Sequence, residues 1–167
     1  MPEKLTREDV KKIEAEIEER KLVVRKQAIE DVKEARSHGD LSENFEYYAA
    51  KKFKNKNESR IRYLERMLRT AIVVDDTSKD DEVGINNTVL IEFEEDGLRE
   101  SYKLVTSVRS DSLNGLISIE APLGRAIRGK KAGDRVYVKV NDNVGYYIKI
   151  IEIDKTTDDK DDRIRSY

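Results

Sequence analysis

Gly39-Asp40-Leu41-Ser42-Glu43-Asn44-Phe45-Glu46-Tyr47 is a short acidic turn set between two long helical patterns. Upstream, from Arg7 to about His38, there is no Pro or Gly, and apolar residues recur at Val10, Ile13, Ile17, Val24, Ala28, Val32 and Ala35. That spacing is helical and close to heptad. Downstream, a second run carries Tyr48 or Ala50, Phe53, Ile61, Leu64, Met67 or Leu68, and Ala71 or Ile72. In an antiparallel hairpin closing near residue 41, facing positions have a nearly constant index sum. Val10 with Ile72, Ile13 with Leu68, Ile17 with Leu64, Ala28 with Phe53 and Val32 with Ala50 all meet that condition. Two unrelated helices would not be expected to match in this way. The matching predicts one antiparallel helical hairpin over residues 6–74, with Asp40 and Glu43 exposed at its end. At ~1.5 Å per residue its arms are roughly 45–50 Å long. Gln27, Asn55 and Asn57 interrupt the apolar seam in its middle, where polar residues fix register at some cost in stability.

Beyond residue 76 the pattern changes. Thr77-Ser78-Lys79-Asp80-Asp81 reads as a linker, and period-two or continuously apolar runs follow. Strands are expected over Thr88–Phe93, Arg99–Val105, Leu116–Glu120, Arg135–Val140 and Tyr146–Ile153, with turns at Asp96-Gly97, Asn114-Gly115 and Asp142-Asn143. Pro122-Leu123-Gly124-Arg125-Ala126-Ile127-Arg128-Gly129 fits a short helix stopped by glycine. The fold class is therefore α+β: a helical coiled-coil hairpin over 1–76, a linker over 77–84, and a small antiparallel-sheet domain over 85–154. The tail 155–167 is charged and aperiodic, and is expected to be disordered.

Composition agrees with a long solvated helix pair rather than one large core: 41% of the 167 residues are charged and 37% hydrophobic. The absence of cysteine excludes a disulfide framework and thiolate zinc sites, and fits a reducing cytoplasm. No apolar run is long enough to span a membrane, and the N-terminus lacks the apolar core of a signal peptide. Residues 51–69 hold eight basic side chains against two acidic ones, so positive charge is concentrated on the second helix.

The acidic turn admits two readings. In one, Gly39 ends the first helix, Asp40 is the N-cap of the second, and Glu43 reaches back as the third residue of a capping box. In the other, the two carboxylates are hard oxygen ligands for Mg²⁺, too few for a tight site alone but able to complete one in a partner.

At this point the residues resemble a family. The stretch Glu34 to Ala50 is similar to the coiled-coil tip of the bacterial Gre transcript-cleavage factors, the GreA/GreB family. Ile117-Ser118-Ile119-Glu120-Ala121-Pro122-Leu123-Gly124-Arg125-Ala126-Ile127-Arg128-Gly129-Lys130, followed by Gly133-Asp134-Arg135-Val136, resembles the signature of that family's FKBP-like C-terminal domain. The resemblance spans about residues 5–154, with Ala121 in place of a serine usual before the proline, and Ser42 and Phe45 as substitutions within the tip. It implies an accessory factor rather than a free-standing enzyme, inserted into the secondary channel of bacterial RNA polymerase to stimulate cleavage of backtracked nascent RNA. It further implies that Asp40 and Glu43 are donated to the polymerase active site, where they share a Mg²⁺, with no cofactor of the chain's own. Asn44, Glu46 and Tyr47 would support the tip. Pro122, Leu123, Gly124 and Arg125 would dock on the polymerase near the channel entrance. A channel inhibitor on the same scaffold is the alternative, and an RNA-binding coiled coil without a polymerase partner is a more distant one.

Lys52, Lys56 and Arg60, with Arg62, Arg66 and Arg69 beside them, form like-charged stripes that disfavour an isolated helix. Pairing with Glu14, Glu16, Glu18 and Glu19 would neutralise the lower part. Lys51, Lys52, Lys54 and Lys56 lie nearer the turn, and RNA phosphates are the alternative partner there. His38, the only histidine, suits the negative end of a helix dipole and is not read as a general base. The chain is expected to act as a cytoplasmic monomer without a membrane partner.

Overall fold

The structure, a computed structural model, describes residues 2–39 and 44–166. The chain divides into two compact units: Asp9–Ile72 in one, and Glu3–Glu8 with the chain from Val73 onward in the other.

The first unit is a helical hairpin. Its first arm consists of α1 (Arg7–Glu19), a five-residue π-helical turn (Arg20–Val24) and α2 (Arg25–Ser37). The second arm is the single helix α3 (Phe45–Thr70). Ile13, Ala28 and Ala35 from the first arm and Tyr47, Ile61, Leu64 and Met67 from the second are buried. Cross-links confirm the antiparallel pairing: Glu16 meets Arg60, Arg20 meets Asn57, and Asn44 reaches Ala35.

The π turn corrects the expected register. Heptad spacing from Ile13 and Ile17 runs through 20, 24, 27, 31 and 34, which would place Gln27 in the seam. A π turn adds one residue to the helix, so the seam continues on Ala28 and Ala35, and Gln27 turns outward to bond Asp31. On α3 the spacing back from Leu64 and Ile61 passes through Asn57, Lys54, Ala50 and Tyr47. Phe53, matched above with Ala28, is accordingly 54% exposed, and Asn55 is exposed as well. Ile72, matched with Val10, is exposed because α3 ends at Thr70 and Ala71 turns to extended backbone.

Only Asn57 of the three polar residues therefore sits in the seam. It donates to the carbonyl of Arg20 at 3.2 Å and accepts from the Arg20 guanidinium at 3.0 Å. The Arg20 carbonyl also accepts from the Arg25 amide across the π turn, so Asn57 uses its second lone pair and is itself satisfied in the seam. Around it, Glu16 accepts from both Arg20 and Arg60. Burial alone would push the Glu16 carboxyl up, but those two hydrogen bonds outweigh it and hold it below the ordinary range. Lys21–Glu65 and Arg25–Glu58 complete the interhelical pairs, with base and acid exchanged between arms relative to the expected pattern.

The second unit is built on a five-stranded sheet in the order β5-β4-β3-β7-β6. Two-residue strands β1 (Lys4–Leu5) and β2 (Ile72–Val73) precede it and pair with each other. The main strands are β3 (Thr88–Phe93), β4 (Arg99–Val105), β5 (Leu116–Ser118), β6 (Arg135–Lys139) and β7 (Gly145–Asp154). β3 pairs antiparallel with β4 and β7, and β6 antiparallel with β7. β4 and β5 pair in parallel, a departure from the all-antiparallel expectation. Their connection explains it: two 3₁₀ turns, Ser107–Arg109 and Ser112–Asn114, carry the chain back instead of a hairpin, and Gly115 takes the left-handed conformation that ends the second.

One face of the sheet carries Val89, Ile91, Val136, Val138, Ile148 and Ile150, and the short helix α4 (Pro122–Ile127) covers it with Ile127. Each fully buried Val or Ile contributes about 1.5–3 kcal/mol of apolar transfer, which makes this the main core of the unit. Val83 joins it, so the segment 77–84, expected to be a linker, already belongs to the packed domain by Val83. The tail also departs from expectation. Instead of being disordered, residues 155–166 hydrogen-bond back onto the unit through Lys155, Thr157, Asp162 and Arg165.

The candidate functional site at the hairpin tip

α2 ends where His38 leaves helical geometry (φ −86°, ψ 5°), and Gly39 follows at φ +129°, a conformation that residues with a Cβ rarely adopt. α3 begins at Phe45, and its N-cap is Asn44. The Asn44 side-chain oxygen accepts from the Tyr47 amide at 3.0 Å, while its amide nitrogen donates to the Ala35 carbonyl at 2.6 Å. One residue thus satisfies an orphan donor of α3 and ties it to the end of α2, adding a second donor to the Ala35 carbonyl, which also accepts from the His38 amide at 3.2 Å. The capping-box reading placed the N-cap at Asp40 and the third helical residue at Glu43. Those positions belong to Asn44 and Tyr47. Asp40 and Glu43 themselves lie outside the described residues.

The three supporting positions flank the turn in distinct roles. Asn44 is the cap. Glu46 reaches across to His38, with Oε2 2.8 Å from Nδ1. Tyr47 is buried beneath two cations, Arg36 at 5.5 Å and Lys51 at 5.9 Å from its ring centre. A hydrogen bond from Arg36 pulls the Tyr47 hydroxyl below its ordinary pKa. Sequence reasoning gave Phe45 no role, yet it is 86% exposed at the first turn of α3. An exposed aromatic at the head of a helix has no local pattern to announce it.

The His38–Glu46 pair is testable by pH. Its hydrogen bond to Glu46 raises the His38 pKa above the ordinary 6.5. A group whose folded pKa is raised contributes fully below its unfolded value and loses that contribution as pH rises through the folded one. The His38 imidazole resonances should titrate above 6.5 in the intact protein and move down toward that value in Glu46→Gln. Equal midpoints in the two proteins would mean that the pair does not form in solution.

Next to the tip, Lys51, Lys52 and Lys56 are exposed and line a shallow groove with Tyr48, Asn55 and Ser59. Lys54 falls at a seam position by spacing from Leu64 and is half-buried. Of the basic residues expected to pair with the first arm, Arg60 is buried against Glu16.

In the second unit, Pro122 opens α4 at its first turn, where its missing N–H costs nothing. Leu123 packs against the core, Gly124 is buried and Arg125 is exposed. A Cβ on Gly124 would lie 1.9 Å from the Ser118 carbonyl oxygen, so this position requires glycine for close approach of α4 to β5. The outward surface of the proposed docking segment is thus carried by Arg125 and the half-buried Pro122, with Leu123 and Gly124 beneath. Among the described residues no group of three or more His, Cys, Asp or Glu side chains is arranged to hold a metal, and no helix is long and apolar enough to cross a membrane.

Residues 3–73 match the family described as transcription elongation factor, N-terminal, and residues 77–155 match transcription elongation factor, GreA/GreB, C-term. The chain is 42% identical over 149 residues to transcription elongation factor GreA of Macrococcus caseolyticus, covering 89% of this chain and 94% of that one. It is 42% identical over 144 residues to GreA of Chloroherpeton thalassium, covering 86% and 91%. Among solved structures it is similar to the GreA factor homolog Gfh1 of Thermus thermophilus, at 23% identity and a TM-score of 0.43 over 92% of this chain and 99% of that one. It is also similar to a GreA/GreB factor from Nitrosomonas europaea, at 28% identity and 0.39 over 56% and 78%. With both halves matched in order and GreA relatives aligned along most of its length, the chain belongs to the GreA/GreB family of transcription elongation factors.

Proposed function

We propose that this elongation factor enters the secondary channel of bacterial RNA polymerase hairpin-first and stimulates Mg²⁺-dependent cleavage of the 3′ end of backtracked RNA, rescuing arrested complexes. The observation that carries the reading is the cap at Asn44. With α3 capped by Asn44, a capping role no longer accounts for Asp40 and Glu43. Two acids in a four-residue stretch are of the kind that suits hard-cation ligation.

In this reading the chain is an accessory cytoplasmic factor, and the cleaving enzyme is the polymerase. Asp40 and Glu43 supply two carboxylates, too few to hold Mg²⁺ tightly without further ligands, so the metal is shared with the polymerase only in the complex. A Mg²⁺ held there would supply an activated water for in-line attack. Glu46 is the next carboxylate along the chain and is committed to His38, which leaves the tip pair as the donors. Asn44, the His38–Glu46 pair and Tyr47 hold the two helix ends that present those donors. Lys51, Lys52 and Lys56 present charge to the phosphates of the backtracked strand, and the half-buried Lys54 contributes less. Arg125 and Pro122 contact the polymerase exterior.

The test is to add the protein to stalled, backtracked elongation complexes. Shortened transcripts that resume extension are expected. Intact transcripts, with the factor shown to be bound, would reject cleavage stimulation.

A further inference from the structure

Residues beyond Lys155 lie outside both matched family segments. They are rich in acid, with Asp158, Asp159, Asp161 and Asp162 within five positions. A run of this kind is ordinarily solvated, yet the Asp162 side chain is only 7% exposed. Its carboxylate accepts from Lys103 Nζ at 2.9 and 3.1 Å and from Arg109 Nη1 at 2.7 Å. Lys103 stands on β4, with its side chain 14% exposed. Arg109 ends the first 3₁₀ turn, and its side chain is fully enclosed. Its guanidinium also donates to Asn86 Oδ1 at 2.7 Å. Burial alone would push the Asp162 carboxyl up, but the bonds from Lys103 and Arg109 outweigh it and keep it below the ordinary range.

Contacts on either side of Asp162 seat the rest of the segment. Lys103 Nζ donates to the Asp158 carbonyl, and Thr157 Oγ1 donates to the Asn86 carbonyl. The Arg165 amide donates to the Val108 carbonyl at 2.7 Å, and its guanidinium reaches the Ser107 carbonyl at 3.3 Å and pairs with Glu3. The segment therefore grips the 3₁₀ turn Ser107–Arg109 from both main chain and side chain. Ser107 in turn bonds Ser118 through their hydroxyls at 2.6 Å, and the Ile119 amide donates to the Val105 carbonyl.

We propose that residues 156–166 are a docked acidic strap, seated by Asp162 in a cationic pocket of Lys103 and Arg109, and that the docked strap braces the chain from Ser107 to Ile119. The pocket is built for a carboxylate on an extended acidic segment. An enclosed guanidinium is costly without a counter-charge, and Asp162 delivers one from the chain's own end. With the strap undocked, the 3₁₀ turn loses a main-chain and a side-chain hold, and β5 loses the support that reaches it through Ser107 and Ser118.

Amide hydrogen exchange on the full-length free protein tests this, and with no polymerase in the assay the result is independent of the cleavage reading. In the unmodified chain the Arg165 amide should be protected far beyond the free-chain rate. Asp162→Asn should accelerate exchange at Arg165 by about tenfold or more, the size of effect expected for loss of a charge-assisted hydrogen bond. Exchange at Ile119 should rise with it. Asp161→Asn, a change at an exposed neighbour, should leave both amides at the original rate. Exchange of Arg165 at the free-chain rate in the unmodified protein would overturn the strap, whether or not the Asp162 variant folds. Equal rates in Asp162→Asn and the unmodified protein would overturn the pocket, and acceleration at Arg165 without Ile119 would overturn the bracing.

Discussion

Asp40→Asn, and separately Glu43→Gln, should abolish stimulated cleavage while leaving polymerase binding largely intact. The amides keep the size of the side chains they replace but lack the negative charge that a Mg²⁺ ligand needs. Metal activation of a water contributes several kcal/mol, so the expected loss is orders of magnitude in the rate of transcript shortening. Affinity should come from the hairpin sides and the second unit, neither of which these variants touch. Hairpin stability should also hold, because the cap of α3 is Asn44. Asn44→Ala is the contrasting variant: it removes the cap and the tie to Ala35, and should cost about 1 kcal/mol by thermal melting. Full cleavage by Asp40→Asn on backtracked complexes would end the metal reading.

Gly124→Ala should lower the stability of the second unit by about 2 kcal/mol or more, in the range of overpacked cores. Two effects oppose each other. Alanine is the better helix former by about 1 kcal/mol. Against this, the new methyl would sit 1.9 Å from the Ser118 carbonyl oxygen and 2.8 Å from its carbon, atoms of the backbone that cannot rotate away. Sterics should win, and a domain of this size should melt roughly 10 °C lower. A melting temperature at or above that of the unmodified protein would show that α4 and β5 separate without cost. Any loss of polymerase binding in this variant would then need a cause other than stability.

Much of the architecture was legible because periodicity and turn chemistry agreed. β3 and β4 begin and end where their alternating residues and the Asp96-Gly97 turn place them, and α4 opens at Pro122 as a helix start should. The π turn was not legible. Apolar spacing reports faces averaged over several turns, so one extra residue between Ile17 and Ala28 appeared as an imperfect seam with Gln27 in it. Phe53 was drawn into the seam by its hydrophobicity, although spacing from Leu64 favours Lys54. The parallel pairing of β5 depends on where two 3₁₀ turns lead the chain, which no local pattern encodes. The tail failed for another reason: composition predicts what a segment does on average, and a few specific side chains are enough to seat this one. At the tip, Asp40 and Glu43 stand out as an acidic pair in an exposed turn and again in the family resemblance, but their capping-box spacing misplaces the cap, which is Asn44. Asn44 lacks the Glu or Gln three residues on that would have announced it.

The π turn also separates the number of residues in an arm from the face its far end presents. In a regular helix each inserted residue advances everything beyond it by about 1.5 Å and swings it by about 100°. A single insertion in one arm of a coiled hairpin would therefore turn its far half away from its partner. Taken up between Arg20 and Val24, the extra residue leaves Ala28 and Ala35 on the seam and exposes Leu22 and Val23 instead. The first arm thus holds one residue more than a regular helix would allow while its far end keeps the same face toward α3, so an insertion in this arm needs no matching insertion in its partner.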